Sequence, residues 1–295
     1  MKTISEYRIS PLEEEAEIVP YNELHVVVLG TGDGDGTFAD IVEEVSVKRD
    51  IKYNFVDVTK SWIAASDIDI GTVKLRNIDG KDTNVDVSTH NSIIFVRAGA
   101  IATLTSQAFI SSLQDIGFLL VNDLDSMLVC DNKMSNALLL GRNNIPIPRT
   151  SSVPNEASIE DAHKRVGGKF PVIIKTLKGT QGVGVMKIDS MSSLRGVCQS
   201  LWKYEADLLI QEFFEMKSDV RTLVVGGKII AAAERVQPPS NDDFRNNVHQ
   251  GATTNPYDLS KKEIKVIKAA ARATGAAYVV SIISLTIKAI LILSK

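Results

Sequence analysis

Residues Val172 to Met186 have few options other than a β-hairpin with a glycine tip. Two short runs of β-branched or apolar residues, Val172 to Ile174 and Val183 to Met186, flank the loop Gly179-Thr180-Gln181-Gly182-Val183-Gly184, and Lys175 closes the first run. Runs of this length and composition form strands, while glycines between them give the backbone the freedom a tight loop needs. A Walker loop is excluded, because it requires Gly-Lys-Ser/Thr followed by a helix. Two roles fit the segment. One is an ordinary glycine hairpin; the other is a lid whose backbone N–H groups close over a triphosphate while Lys175 supplies a point charge from the strand.

A chain of 295 residues with net charge −3 is long enough for two domains or one large one, and its composition is that of a globular protein. Its basic residues are scattered, so no nucleic-acid footprint is expected. Cys130 and Cys198 form neither a CxxC pair nor a disulfide framework, and the start lacks an apolar targeting core, which together set a cytoplasmic location as the expectation.

Residues 1–22 are acidic and aperiodic, as expected of an arm. From Glu23 the pattern alternates. His25 to Gly30 reads as a buried strand, Thr37 to Lys48 as a helix and Tyr53 to Val58 as a second strand. Ser92 to Arg97, a helix over Leu104 to Leu113, and Gly117 to Asn122 follow. Such alternation predicts a parallel α/β sheet in a first domain over residues 23–123. Its Gly30-Thr31-Gly32-Asp33-Gly34-Asp35-Gly36 loop fails the dinucleotide spacing, because Asp35 occupies the third glycine position and two aspartates would repel a pyrophosphate. A plain strand-to-helix turn is the expectation there, with help in binding a polar substrate as its functional alternative.

Beyond Leu124 the elements come in a particular order. Asp131-Asn132-Lys133 opens a helix expected to run through Leu140, and Asn144 to Thr150 forms a proline-fixed connector. After the lysine and glycine hairpin, Asp207 to Phe214 reads as a strand ending in Gln211-Glu212-Phe213. Glu212 in that position is either a surface carboxylate or an acceptor for an adenine amine or a ribose hydroxyl.

This series resembles the ATP-grasp superfamily, and within it the RimK-like branch. The resemblance rests on Cys130-Asp131-Asn132-Lys133, Ile145 to Thr150, Val172 to Lys175, Gly179 to Val185, Gln211-Glu212-Phe213, Asp219-Val220-Arg221, Glu234-Arg235 and Asp243 to Gly251, and it covers roughly residues 124 to 275. It implies an α/β (α+β) protein whose parallel-sheet first domain precedes an ATP-grasp module over residues 124–295. The module would comprise a lid subdomain over about 150–212 and a C-terminal subdomain over about 213–295.

The implied activity is ATP-dependent ligation of an amine to a carboxylate through an acyl phosphate, with glutamate addition to a peptide or protein end as its form. A glutathione-synthetase-like ligase of small molecules and a nucleotide-binding pseudoenzyme are the alternatives. By resemblance, Lys133 and Lys175 hold phosphate and the adenine side, and Gly179, Thr180, Gln181, Gly182, Val183 and Gly184 form the lid. Gln211, Glu212 and Phe213 make the adenine hinge, and Asp219 is a ribose-side acid. Arg221, Arg235, Arg245 and Asn247, with Asn246 beside them, hold the γ-phosphate and acyl phosphate, a task suited to bidentate guanidinium groups. The implied partners are ATP with magnesium or manganese, a carboxylate such as glutamate, a peptide or protein substrate and, since related ligases often self-associate, further copies of the chain. No membrane partner is expected.

The tail departs from the family. Where the pattern has a strand with an aspartate, then a strand with a Glu-x-Asn pair that binds magnesium, this chain has Ser281 in the run Tyr278 to Lys295, and neither Asp nor Glu follows Glu263. Three readings fit: two core strands of a decayed or truncated member, a shift of coding frame, or a membrane tail anchor over Ala276 to Leu293. The last must accommodate Lys288, two serines and a threonine, whereas the density of Ile and Val suits buried strands.

Overall fold

The computed structural model describes residues 19–32, 37–62, 64–65, 68–69, 71–77, 84–177, 184–215, 218–236, 253–285 and 290–293. The chain divides into two compact units, one of Met1–Ala100 with Ala108–Leu120, the other of Ile101–Gln107 with Val121–Lys295.

In the first unit the elements run β1 (His25–Gly30), α1 (Thr37–Lys48), β2 (Lys52–Asp57), β3 (Ser61–Trp62), β4 (Ile68–Asp69), β5 (Thr72–Asn77), β6 (Asn84–Ser88) and β7 (Ser92–Val96), then α2 (Leu104–Ile116) and β8 (Leu119–Val121) at its end. The main sheet has the order β2-β1-β7-β8, and β1 pairs in parallel with both β2 and β7. All six residues of β1 are buried, which is why this strand reads as a continuous apolar run rather than an alternating one. The alternating strands and helices of the sequence therefore give the expected parallel sheet. A second sheet was not anticipated: β5 pairs antiparallel with β3, β4 and β6. Asp57 closes the end of β2 by accepting from the backbone N–H of Gly32 at 3.1 Å and from Thr59 N and Oγ1 at 2.9 and 2.7 Å. The aspartates of the glycine loop, Asp33 and Asp35, lie outside the described residues.

The second unit continues with α3 (Leu124–Asp131), α4 (Lys133–Arg142), β9 (Thr150–Ser152), α5 (Ile159–Arg165), β10 (Val172–Thr176), β11 (Val185–Ile188), α6 (Met191–Trp202), β12 (Leu208–Glu212), β13 (Ser218–Val225), β14 (Lys228–Val236), β15 (Thr253–Pro256), α7 (Lys261–Thr274), β16 (Tyr278–Leu285) and β17 (Ile290–Leu293). The helix expected to open at Asp131-Asn132-Lys133 is α4, and a further helix, α3, precedes it. Asp131 ends α3, and Asn132 caps α4 by accepting from Met134 N and Ser135 N, both at 3.0 Å. The asparagine oxygen satisfies first-turn N–H groups that lack an intrahelical partner, which lets a new helix start there.

Two antiparallel sheets organise this unit. One has the order β11-β10-β12-β9, and α5 and α6 pack on it through Ile159, Ala162, Leu194 and Cys198 against Val172, Ile174, Leu208 and Ile210. The other has the order β15-β14-β13-β16-β17 and is packed by α7 and α4, with Ile267, Ala270 and Leu140 against Val220 and Val224. α7 is closed at its start by a reciprocal capping box between Ser260 and Glu263, and at its end by Gly275 at φ 74°. Tyr278 to Ser284 pairs with Val225 to Asp219 of β13, with Ser281 opposite Thr222, and β17 pairs with β16. The tail thus lies in the sheet as two strands. Among the described residues no helix is long and apolar enough to cross a membrane.

Candidate functional site

The predicted hairpin is present, with β10 and β11 paired antiparallel and Lys175 opposite Val185. Gly184 sits at φ 75°, and a Cβ there would collide with the side chain of Thr176, so glycine is required on both counts. Gly179, Thr180, Gln181, Gly182 and Val183 lie outside the described residues.

Strand alternation sorts the side chains of this sheet onto two faces. Val172, Ile174, Leu208 and Ile210 meet the helices, which leaves Ile173, Lys175, Leu209 and Gln211 on the opposite face. There Lys175 Nζ donates to Gln211 Oε1 at 2.7 Å, and Gln211 Nε2 donates to Thr150 Oγ1 at 2.8 Å. Burial, with the nearby positive charge of Lys133 as a further cause, pushes the Lys175 ammonium down to about 8. Lys133, at the start of α4, is 4% exposed and donates to the carbonyl of Leu177 at 3.0 Å, so it reaches the base of the glycine loop. Its own pKa is lowered by burial, against the opposing pull of Asp131. Beside this junction lies a cleft of about 290 Å³ lined by Leu128, Asp131, Asn132, Ser135 and Leu177, among others. Two partly desolvated lysines beside a glycine loop suit a polyanion, whose charge favours the ammonium form that burial disfavours.

The hinge residues divide. By the same alternation Glu212 belongs to the helix side, where Oε1 accepts from Arg149 N at 2.7 Å and Oε2 from Arg149 Nε at 2.6 Å. Its carboxylate thus holds the connector, whose Arg149 carbonyl in turn accepts from the Glu212 N–H at 3.0 Å. Gly167 makes room for this pair, because a Cβ there would run into the Arg149 guanidinium. Phe213 carries Lys187 Nζ 4.9 Å above its ring. Sequence reasoning assigned no role to Arg149 or Lys187. Lys187 was detectable only once the hairpin register was known, which places it opposite Ile173 on the face of Lys175.

On the other sheet Asp219, Arg221 and Arg235 form one cluster. Arg235 donates to Asp219 through Nε at 3.0 Å and Nη2 at 2.8 Å, and Arg221 through Nε at 3.2 Å. Burial, and after it the charge of Arg235, lowers the pKa of Arg221, with Asp219 acting in the opposite direction. The structure brings Arg221 and Arg235 together on a shared carboxylate. Arg245, Asn246 and Asn247 lie outside the described residues. Among the described residues no group of three or more His, Cys, Asp or Glu side chains could hold a metal ion. The strand register sets Asp219 opposite Ser284 and Thr222 opposite Ser281.

A parallel-sheet unit followed by two antiparallel sheets, one bearing a lysine and a glycine hairpin and the other a pair of half-buried arginines, defines a nucleotide-binding α/β protein of the ATP-grasp class. Residues 130–292 match the model of the RimK-like ATP-grasp domain, and the chain belongs to that family. It is 33% identical over 184 residues to a probable alpha-L-glutamate ligase 2 of Pseudoalteromonas atlantica, covering 62% of this chain and 60% of that protein. It is 31% identical over 222 residues to a probable alpha-L-glutamate ligase of a Marinomonas species, covering 75% and 71%. Among solved structures, a RimK domain ATP-grasp protein from Sphaerobacter thermophilus superposes with a TM-score of 0.66 at 16% identity, over 91% of this chain and 89% of that one. The macrocyclase MdnC of Microcystis aeruginosa, bound with precursor peptide MdnA, gives a TM-score of 0.66 at 12% identity, over 92% and 90%. At such identities these likenesses speak for the fold alone. The match to the first of the ligases spans about 60% of its length.

Proposed function

We propose that the chain binds ATP on the face carrying Lys133, Lys175 and Gln211, and uses it to join an amine to a carboxylate, with glutamate as the class of substrate. The single observation that carries the nucleotide part is Lys175, a half-buried lysine whose Nζ is held by the neutral amide of Gln211 on the strand that leads into the glycine hairpin. A partly desolvated ammonium held by a neutral acceptor is stabilised by a bound polyanion. In the proposed reaction a carboxylate oxygen attacks the γ-phosphorus and ADP leaves. The amine nitrogen then attacks the acyl carbon of the acyl phosphate, and inorganic phosphate departs with loss of a proton from nitrogen. Lys133 and Lys175 offset the charge that builds as two anions approach each other, and Arg221 and Arg235 serve the transferred phosphoryl group. Glutamate is supported by the names of the relatives, probable alpha-L-glutamate ligases, and a peptide acceptor by the neighbour crystallised with a precursor peptide.

A second reading is a nucleotide-binding pseudoenzyme. It is favoured by Ser281, which stands where the family resemblance implies an aspartate. Calorimetric titration with a non-hydrolysable ATP analogue, with magnesium and then with excess chelator, tests both. Binding strengthened by magnesium beyond the free nucleotide's own chelation supports the ligase, and glutamate-dependent release of phosphate is then assayed. Binding indifferent to magnesium supports the pseudoenzyme, and no binding removes both readings.

A further inference from the structure

We infer that Asp219 is a positioning residue that fixes Arg221 and Arg235 as one receptor for the terminal phosphate of a nucleoside triphosphate, in place of the ribose contact that the family resemblance implies. The inference rests on the nucleotide reading above. Asp219 lies directly opposite Arg235 across the β13–β14 ladder, and Arg221 follows two residues later, so all three side chains rise from one face of the sheet. The other face is taken by Val220 and Val224, which pack with Ile267 of α7. The side chains of Asp219, Arg235 and Arg221 are 7%, 12% and 20% exposed.

Three of the roughly four lone-pair positions of a carboxylate are occupied by guanidinium N–H groups. A sugar hydroxyl that sought the same oxygens would have to displace charge-assisted hydrogen bonds roughly twice as strong as its own. The acid is therefore poorly placed to read a ribose and well placed to hold arginines. Two guanidinium groups on one buried face repel each other, and neither is well hydrated there. Asp219 offsets that repulsion, leaving a cluster with one net positive charge.

The geometry also decides which donors remain. Arg235 gives Asp219 its Nε and Nη2, and Arg221 gives only its Nε, so among the described residues Nη1 of Arg235 and both terminal nitrogens of Arg221 are left for an incoming anion. Such a pair, locked through its inner nitrogens, presents fixed donors to tetrahedral phosphoryl oxygens and loses little side-chain freedom when they arrive.

The experiment is calorimetric titration of the full chain with ADP and with a non-hydrolysable ATP analogue, in the wild type and in Asp219→Asn. Asparagine keeps the volume and one acceptor oxygen but turns an amide N–H toward the guanidinium groups. The wild type is expected to prefer the triphosphate, and the variant to lose about tenfold of that preference while its ADP affinity stays within about twofold. A loss of affinity shared equally by ADP and the triphosphate would restore the ribose role and overturn the inference, as would a preference left intact. A wild type that binds neither nucleotide defeats the nucleotide reading itself, a distinct result that takes the inference with it. Should Asp219→Asn fail to fold, Arg235→Lys retains the charge and the acid but cannot span both oxygens. The same selective loss is expected of it, and retention of the full preference would again overturn the assignment.

Discussion

Lys175 and Gln211 stand on the diagonal of the β10–β12 ladder, with the lysine Nζ donating to the amide oxygen at 2.7 Å. That bond is made to a neutral acceptor, so it orients the ammonium without neutralising it. The charge stays available for a ligand.

The first expectation concerns Lys175 itself. Lys175→Ala should weaken binding of an ATP analogue by about 1–3 kcal/mol, the scale of a lost charge-assisted hydrogen bond, as read by calorimetry. Unchanged affinity would remove the phosphate role.

A pH dependence follows from the same side chain. The free protein's Lys175 titrates at about 8, and a bound phosphate favours its charged form, so nucleotide affinity should be flat below pH 8 and fall above it. The fall should approach about tenfold per pH unit and be absent in Lys175→Ala. Stability moves the other way. The folded-state pKa lies below the unfolded value, so the unfolded chain binds more protons between them, and Lys175 disfavours folding less as the pH rises through that window. Urea unfolding of the wild type and Lys175→Met at several pH values should show the variant's advantage shrinking upward from pH 8.

Gly184→Ala places a side chain at φ 75° and against Thr176. It should destabilise the hairpin by about 1 kcal/mol or more. Adding Thr176→Ala should recover only part of that, because removing the collision does not relieve the backbone. Full recovery in a thermal melt would show that crowding alone requires the glycine.

The α7 helix offers a check on the second sheet. Ile267 is fully buried against Val220 and Val224, so Ile267→Ala should cost about 2–5 kcal/mol. Ser260→Ala, which opens the capping box, should cost about 1 kcal/mol. Denaturant midpoints distinguish the two scales.

Much of this molecule is legible before folding is considered. The six-residue run of β1 and the helix Thr37–Lys48 announce themselves by period and punctuation, and the hairpin by its glycines. What sequence does not show is what depends on register. Arg149 and Glu212 are 63 residues apart, and nothing local says that one connector backbone N–H and one guanidinium will close on that carboxylate. Asp219 and Arg235 are likewise joined only by the β13–β14 pairing, so a family pattern identified both residues while their mutual commitment stayed hidden. The small sheet built on β5 escaped for a different reason. Two of its strands, Ser61–Trp62 and Ile68–Asp69, are only two residues long and carry no period at all.

Asn122 is buried and grips the main chain of Tyr278 from both sides, donating to its carbonyl at 2.6 Å and accepting from its N–H at 2.7 Å. At the start of β16, then, alignment is dictated by a residue 156 positions upstream and by the β13 ladder, through groups every amino acid shares. A strand anchored in this way is a rail whose cargo can be exchanged. The groups that hold it belong to the backbone, so a substitution along β16 can alter chemistry while the register stays as it is.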